Sequence, residues 1–176
     1  MKIIFISDIH GIKTNLELID KKIKYEKFDK LVVLGDLFYN YHDNTKDFDI
    51  YYVREFLERY KDKIICITGN CDSDNDLEFL SFPIISSLEH LSVDNLDIYL
   101  THGHIYNDNN WDKHNTILIF GHYHIPFIKK ENNIIYINPG SISLPKRDYK
   151  PSYLVYENRK FTIYDIENSI INEIQL

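Results

Sequence analysis

The 176-residue chain has only two cysteines, Cys66 and Cys71. Two thiols so close together do not make the disulfide framework of a small secreted protein. Cys66 lies inside the apolar run Ile64-Ile65-Cys66-Ile67 and reads as a small buried hydrophobe. Long apolar stretches are also lacking, and none approaches the length that spans a bilayer, so no membrane partner is expected. Met1 to Ile6 resembles the start of a signal peptide, but Ser7-Asp8 follows with no cleavage pattern. No run of lysine and arginine is long enough for a polybasic arm, and the formal net charge is −7. Both facts argue against an extended nucleic-acid surface or an anionic lipid surface. Linkers, internal repeats and low-complexity segments are missing too. What remains is one expected domain over residues 1–176, cytoplasmic, with 44% hydrophobic and 27% charged residues in a globular balance.

Lys2 to Ile6 is continuously apolar beyond its first residue, as in a strand buried on both faces. Thr14 to Tyr25 reads as a helix, with Leu16, Ile19 and Ile23 at three- and four-residue spacing. A strand over Leu31 to Leu34, a helix over Tyr52 to Tyr60 and a strand over Ile64 to Thr68 repeat the arrangement. Strands separated by helices imply parallel pairing with right-handed crossovers, and such sheets carry their ligands at the carboxyl ends of the strands. The second half is richer in strands: Leu88 to Val93 and Leu96 to Thr101 around the turn pair Asp94-Asn95, then Thr116 to Phe120, Ile134 to Ile137, Tyr153 to Tyr156 and Phe161 to Ile166. Little helix is expected there beyond a stretch around Asn107 to Lys113. The fold class is therefore α/β, with two mixed sheets packed face to face and helices outside.

Five short polar runs follow the apolar segments: Asp8-Ile9-His10, Gly35-Asp36, Gly69-Asn70-Cys71-Asp72, His102-Gly103-His104 and Gly121-His122-Tyr123-His124. Taken singly each has a plain reading. Asp8 suits a turn and His10 a surface, Asp36 suits a turn or a helix start, Asn70 suits an Asx-turn, and His102 suits a buried, hydrogen-bonded histidine. Taken together they offer oxygen and nitrogen donors from strand ends far apart in sequence, which is what a two-metal hydrolytic site needs. If the segment is extended, Asp8 and His10 point the same way and can share one ion. Asp36 has two oxygens that can bridge two cations about 3.5 to 4 Å apart. His122 and His124 are hard to explain by packing, and one is expected on each metal. Of the eight histidines, His42, His90 and His114 have no such setting and are expected to be structural or exposed.

This ordered set resembles the motifs of the calcineurin-like metallophosphoesterases. Gly69-Asn70-Cys71-Asp72 and Asn138-Pro139-Gly140-Ser141 are similar to those of the small single-domain phosphodiesterases of YfcE type, over Met1 to about Lys146. The resemblance implies a four-layer α-β-β-α sandwich. It implies Asp8, His10, Asp36 and His124 on one metal and Asp36, Asn70, His102 and His122 on the other, with manganese the usual ion. The ligand types also suit iron, zinc, nickel or cobalt. It implies in-line attack on a small phosphodiester by a hydroxide held between the metals, with Asp36, Asn70 and His104 around the reacting group. His104 has a second reading as support for a ligand. A homodimer or tetramer is also compatible with the resemblance.

Two departures bear on the substrate. Larger relatives carry a histidine after the asparagine, and here Cys71 stands there, a poor proton donor to an alkoxide. The loop after Asp36, Leu37 to Asn44, has no arginine to hold phosphate through two parallel hydrogen bonds. Asn40, His104 and backbone amides are left to position the substrate, and Arg147 is expected to be a solvated loop residue. Tyr39, Tyr41, Tyr51 and Tyr52 are candidates for an aromatic wall, with packing the default. Two other readings stay open: a phosphomonoesterase acting on a nucleotide or phosphoprotein, and a binding module like the retromer scaffold subunit, which shares the fold with a degraded metal site.

Overall fold

The first strand, β1 (Lys2–Ile6), divides its side chains between two cores: Ile3 and Phe5 enter one, Ile4 and Ile6 the other. The computed structural model describes residues 1–39 and 47–176. From β1 the chain crosses through α1 (Lys13–Ile23) to β2 (Lys30–Val33) and through α2 (Ile50–Arg59) to β3 (Ile64–Cys66), and the three strands pair in parallel. A short helix α3 (Asp74–Glu78) follows, and then the strands β4 (Leu88–Val93), β5 (Leu96–Thr101), β6 (Ile117–Phe120), β7 (Pro126–Glu131), β8 (Ile134–Pro139), β9 (Ser152–Glu157), β10 (Lys160–Asp165) and β11 (Ile170–Gln175). They form a six-stranded sheet in the order β11-β10-β9-β1-β2-β3 and a five-stranded sheet in the order β4-β5-β6-β8-β7, both mixed.

The sheets face each other across one core, where Ile3, Phe5 and Val32 meet Ile98, Leu100, Ile117, Ile119 and Ile137. On the far side of the six-stranded sheet α1 lays down Leu16, Ile19 and Ile23, and α2 lays down Val53, Phe56 and Leu57. Asp49 caps α2 by accepting from Tyr52 N at 2.9 Å, which satisfies one of the free amides of the first turn. The two helices are clasped through the buried Asp20, which accepts from the hydroxyl of Tyr60 at 3.0 Å and pairs with Arg59. The expected sandwich of two mixed sheets is present, with the early helices where they were expected to within about two residues.

Three local features differ from the expectation. Around Asn107 to Lys113 there is a turn rather than a helix, because asparagine amides take the backbone bonds that a helix would use. Asn110 Oδ1 accepts from Asn107 N, Asn107 Oδ1 accepts from Asn109 N, and Asn107 Nδ2 donates to Gly103 O. The outer face of the five-stranded sheet is accordingly covered by a loop, with Trp111 packed over Leu118, Phe120 and Tyr136. β7 and β11 were not expected. Both are edge strands with most residues half-buried or exposed, so the alternation that marks a strand is weak in them. No helix among the described residues is long and apolar enough to cross a membrane.

Candidate metal centre

The carboxyl ends of β1, β2, β3, β5 and β6 open onto one rim of the sandwich, and each feeds one of the five polar runs. The pairing of β1 with β2 continues past the strands: Asp8 N donates to Gly35 O, His10 N to Asp36 O and Gly11 N to Leu37 O. Asp8 and His10 are therefore not extended. Both adopt left-handed backbone, φ 57° and 53°, around a fully buried Ile9. His122 and His124 repeat the device at 64° and 59° around Tyr123, which packs on Phe120 and Phe127. Asp36 also has positive φ, 55°. Left-handed backbone costs a non-glycine residue roughly 1–2 kcal/mol, and five such residues gather here. The two motifs face each other, with His122 N donating to Asp8 Oδ2 at 3.1 Å.

Asp8, His10, Asp36 and His124 are all buried, and one donor atom from each lies within 4.8 Å of the others. His124 Nε2 is 3.2 Å from Asp8 Oδ1 and 3.4 Å from His10 Nε2, and His10 Nε2 is 3.5 Å from Asp36 Oδ2. Ligands held about 2.1 Å from one ion stand about 3.0–3.4 Å apart, so these separations suit a shared cation. On the other side, Asp36 Oδ1 is 3.4 Å from His102 Nε2, which is 3.0 Å from Asn70 Oδ1. The ring of His122 lies 5.1 Å from that of His102, and the exposed ring of His104 lies 5.4 Å from it.

The outward nitrogen of each buried ring decides what the inward one can do. Nδ1 of His10, His102 and His124 lies 2.7, 2.6 and 2.6 Å from the carbonyl oxygens of Tyr39, Leu34 and Leu144. A carbonyl only accepts, so the ring proton resides on Nδ1 and the lone pair on Nε2 points into the site. Lone pairs then converge on carboxylate and amide oxygens with no proton between them, and Asp8 Oδ1 has no hydrogen-bond partner. Buried acceptors clustered in this way call for a cation. Burial works against a charged His102, but its bond to Asp36 and the charges of Asp8 and Asp36 push it up to about 9. Burial likewise opposes ionisation of Asp36, yet His102, the Cys71 amide and His10 outweigh it and hold the carboxyl below the usual range. For His104 and His122, burial first and the charge of His102 second lower the pKa.

Several supporting groups were not anticipated. Asp72 accepts from Asp36 N at 2.9 Å, Leu37 N at 2.6 Å and Gly69 N at 2.8 Å, and so fixes the loop that carries Asp36. Ser141 Oγ donates to Asp8 O at 2.8 Å, and Asn138 Nδ2 donates to Gly121 O at 2.6 Å. All three stand in the motifs, which is the one signal that pointed to them. Two glycines are required by close approach: a Cβ on Gly69 would strike the Asp36 carboxylate, and one on Gly121 would strike Ser7 Oγ and come within 2.8 Å of Asp8 Oδ2. The aromatic wall is not formed from the α2 tyrosines, since Tyr51 packs edge-on against Phe79 and Tyr52 bonds to Asp20. Asn40, Tyr41 and His42 lie outside the described residues. Cys66 is in the core, and Arg147, His90 and His114 are exposed.

Residues 1–160 match the model of the calcineurin-like phosphoesterase superfamily domain. Among curated proteins the chain is 31% identical to phosphodiesterase YfcE of Escherichia coli K12 over 181 residues, which is 100% of this chain and 98% of that protein. The solved structure of that E. coli phosphoesterase superimposes with a TM-score of 0.92, covering 99% of this chain and 98% of the other. Vacuolar protein sorting 29 from Cryptosporidium parvum, 19% identical, covers 99% of this chain and 98% of its own with a TM-score of 0.68, a likeness of fold alone.

Proposed function

The chain belongs to the calcineurin-like phosphoesterase superfamily and is a metal-dependent phosphoester hydrolase; from that premise we propose that it cleaves small phosphodiesters, with residues 1–176 acting as one catalytic unit. Asp36 carries this reading: its Oδ2 faces His10 while its Oδ1 faces His102, so one carboxylate touches both clusters of donors. In the proposed site Asp8, His10, Asp36 and His124 hold one divalent ion, and Asp36, Asn70, His102 and His122 hold a second. Manganese is the ion proposed, and iron, zinc, nickel and cobalt also suit these nitrogen and oxygen donors. Two such ions, when bound, lower the pKa of water to about 7 and neutralise charge on the phosphoryl oxygens.

The side chains prepare the site. The three carbonyl-bonded histidines present Nε2 without tautomer exchange, and Asp36 stays ionised through the neutral range. His104, exposed and held toward its neutral form, hydrogen-bonds the phosphoryl group or the attacking nucleophile from the solvent side. The diester preference is supported by the E. coli relative, by Cys71 in place of an acidic imidazole, and by the lack of arginine after Asp36. A net charge of −7 with no basic run supports a small substrate over a long nucleic acid.

The test compares bis(p-nitrophenyl) phosphate with p-nitrophenyl phosphate under added manganese. Faster cleavage of the diester is expected, and a large preference for the monoester overturns the reading. A purified chain that takes up no metal and cleaves neither would instead be a binding module of the same fold.

A further inference from the structure

The imidazole of His104 has no anchor of its own among the described residues. The rings of His10, His102 and His124 are each bonded through Nδ1 to a main-chain carbonyl, whereas the His104 ring makes no hydrogen bond to any described residue and lies 5.4 and 6.3 Å from the rings of His102 and His122. Its place is therefore set by the backbone that carries it. That backbone is braced by side-chain amides. Asn107 Nδ2 donates at 2.9 Å to the carbonyl of Gly103, the residue before His104. Asn107 Oδ1 accepts from the main-chain and side-chain nitrogens of Asn109, at 3.0 and 3.2 Å, and Asn109 Nδ2 also donates to the hydroxyl of Tyr123 at 3.0 Å.

The string of bonds ends on the motif that supplies the other two histidines. Tyr123 stands between His122 and His124, its ring packs against Phe120 and Phe127, and its hydroxyl donates to Asp108 Oδ1 at 3.1 Å while accepting from Asn109. A hydroxyl that gives one bond and receives another has a fixed direction. Asp108 and Asn109 both belong to the loop after His104, so one hydroxyl ties that loop to the turn from Gly121 to His124. Ring packing is tolerant of sliding, whereas the two hydroxyl bonds set the register of the loop. A group at a reacting centre is sensitive to such register, since a misplacement of about 1 Å costs on the order of 100-fold in rate.

We propose that Tyr123 is a positioning residue: through Asn109 and Asn107 its hydroxyl sets the loop from which His104 hangs, and so aims His104 at the reacting group. This rests on the reading of His104 given above and names what holds it in place.

Tyr123→Phe removes the hydroxyl and keeps the ring. With manganese-loaded protein and bis(p-nitrophenyl) phosphate, kcat is expected to fall about tenfold, with KM and metal content by plasma mass spectrometry little changed. In a His104→Ala background the same substitution should cost less than about twofold, because the group it positions is gone. Asn109→Ala, at an exposed position, cuts the string at its middle and should give the same pattern. An equal loss with and without His104 overturns the proposal, since it would make Tyr123 a packing residue. A loss of metal in Tyr123→Phe overturns it as well, by placing the effect on the neighbouring ligands. Zinc-loaded protein labelled with 13C-histidine reads the position of His104 without turnover: its ring resonance should move in Tyr123→Phe, and an unmoved resonance overturns the proposal. Full activity in His104→Ala defeats the reading of His104, whereas an impaired His104→Ala beside an unimpaired Tyr123→Phe defeats the role of the tyrosine alone.

Discussion

The Nε2 atoms of His10 and His124 stand 3.4 Å apart, each on a ring whose Nδ1 is bonded to a main-chain carbonyl. Neither ring can turn to give the other a proton without losing that bond, so a cation between them relieves a conflict built into the fold. Saturating metal should therefore stabilise the protein, by about 2.7 kcal/mol at a free concentration 100 times the Kd. Differential scanning fluorimetry with manganese and then with chelator checks this; a melting temperature indifferent to both would contradict it.

Asp36→Asn leaves shape but removes the charge shared between the two donor clusters. Activity should fall by more than the roughly 100-fold that loss of an outer partner costs, and metal stoichiometry by plasma mass spectrometry should drop, with unchanged circular dichroism. Retained activity would deny the bridging role.

Asp72 is not among the proposed metal ligands, yet it accepts three amides around Asp36. Asp72→Asn turns an amide NH2 toward some of those donors. A loss of about 10- to 100-fold in metal affinity or kcat/KM is expected, and a measured change under threefold would show that the loop holds itself.

Phe56 is fully buried beneath α2, edge-on to Tyr60. Phe56→Ala should cost about 3–5 kcal/mol of stability in urea titration while leaving kcat per folded molecule unaltered. A cost below about 1 kcal/mol would mean that the helix layer closes over the gap.

Tyr52, Tyr153 and Tyr156 are each pushed up to about 12 from an ordinary 10.0, by burial first and then by Asp20, Glu26 and Asp94 respectively. A raised folded-state value favours the neutral phenol in the fold. Their contribution is therefore complete below pH 10 and is lost as pH rises through about 12. Urea midpoints should decline across that window, and less steeply in Tyr156→Phe; a flat profile would count against the shifts.

Much of this architecture was legible because burial on two faces leaves a plain mark. β1 spans its continuously apolar run, β4 and β5 span the segments expected on either side of the turn pair Asp94-Asn95, and the polar runs at strand ends pointed to the rim where Asp8, Asp36 and His102 meet. The conformation of that rim was not legible. Aspartate and histidine carry no signal for positive φ, so Asp8 and His10 read as extended when they are left-handed. The roles of Asp72 and Ser141 were hidden for a related reason, since a side chain bonding a distant backbone amide or carbonyl leaves no periodicity. β7 and β11 were hidden by their exposure at the edges, and the turn at Asn107 by side-chain amides that compete with the helix ladder.

At the rim away from the metal centre, β4 and β5 are joined by Asp94-Asn95, β7 and β8 by Asn132-Asn133, and β9 and β10 by Asn158-Arg159, each pair with both residues at positive φ. Such two-residue turns match the twist of the strands they join and ask nothing of the site at the other end. They give an engineer three places to attach a fluorophore, an affinity tag or an inserted peptide, or to open new chain termini, with the length of the sandwich between the alteration and the chemistry.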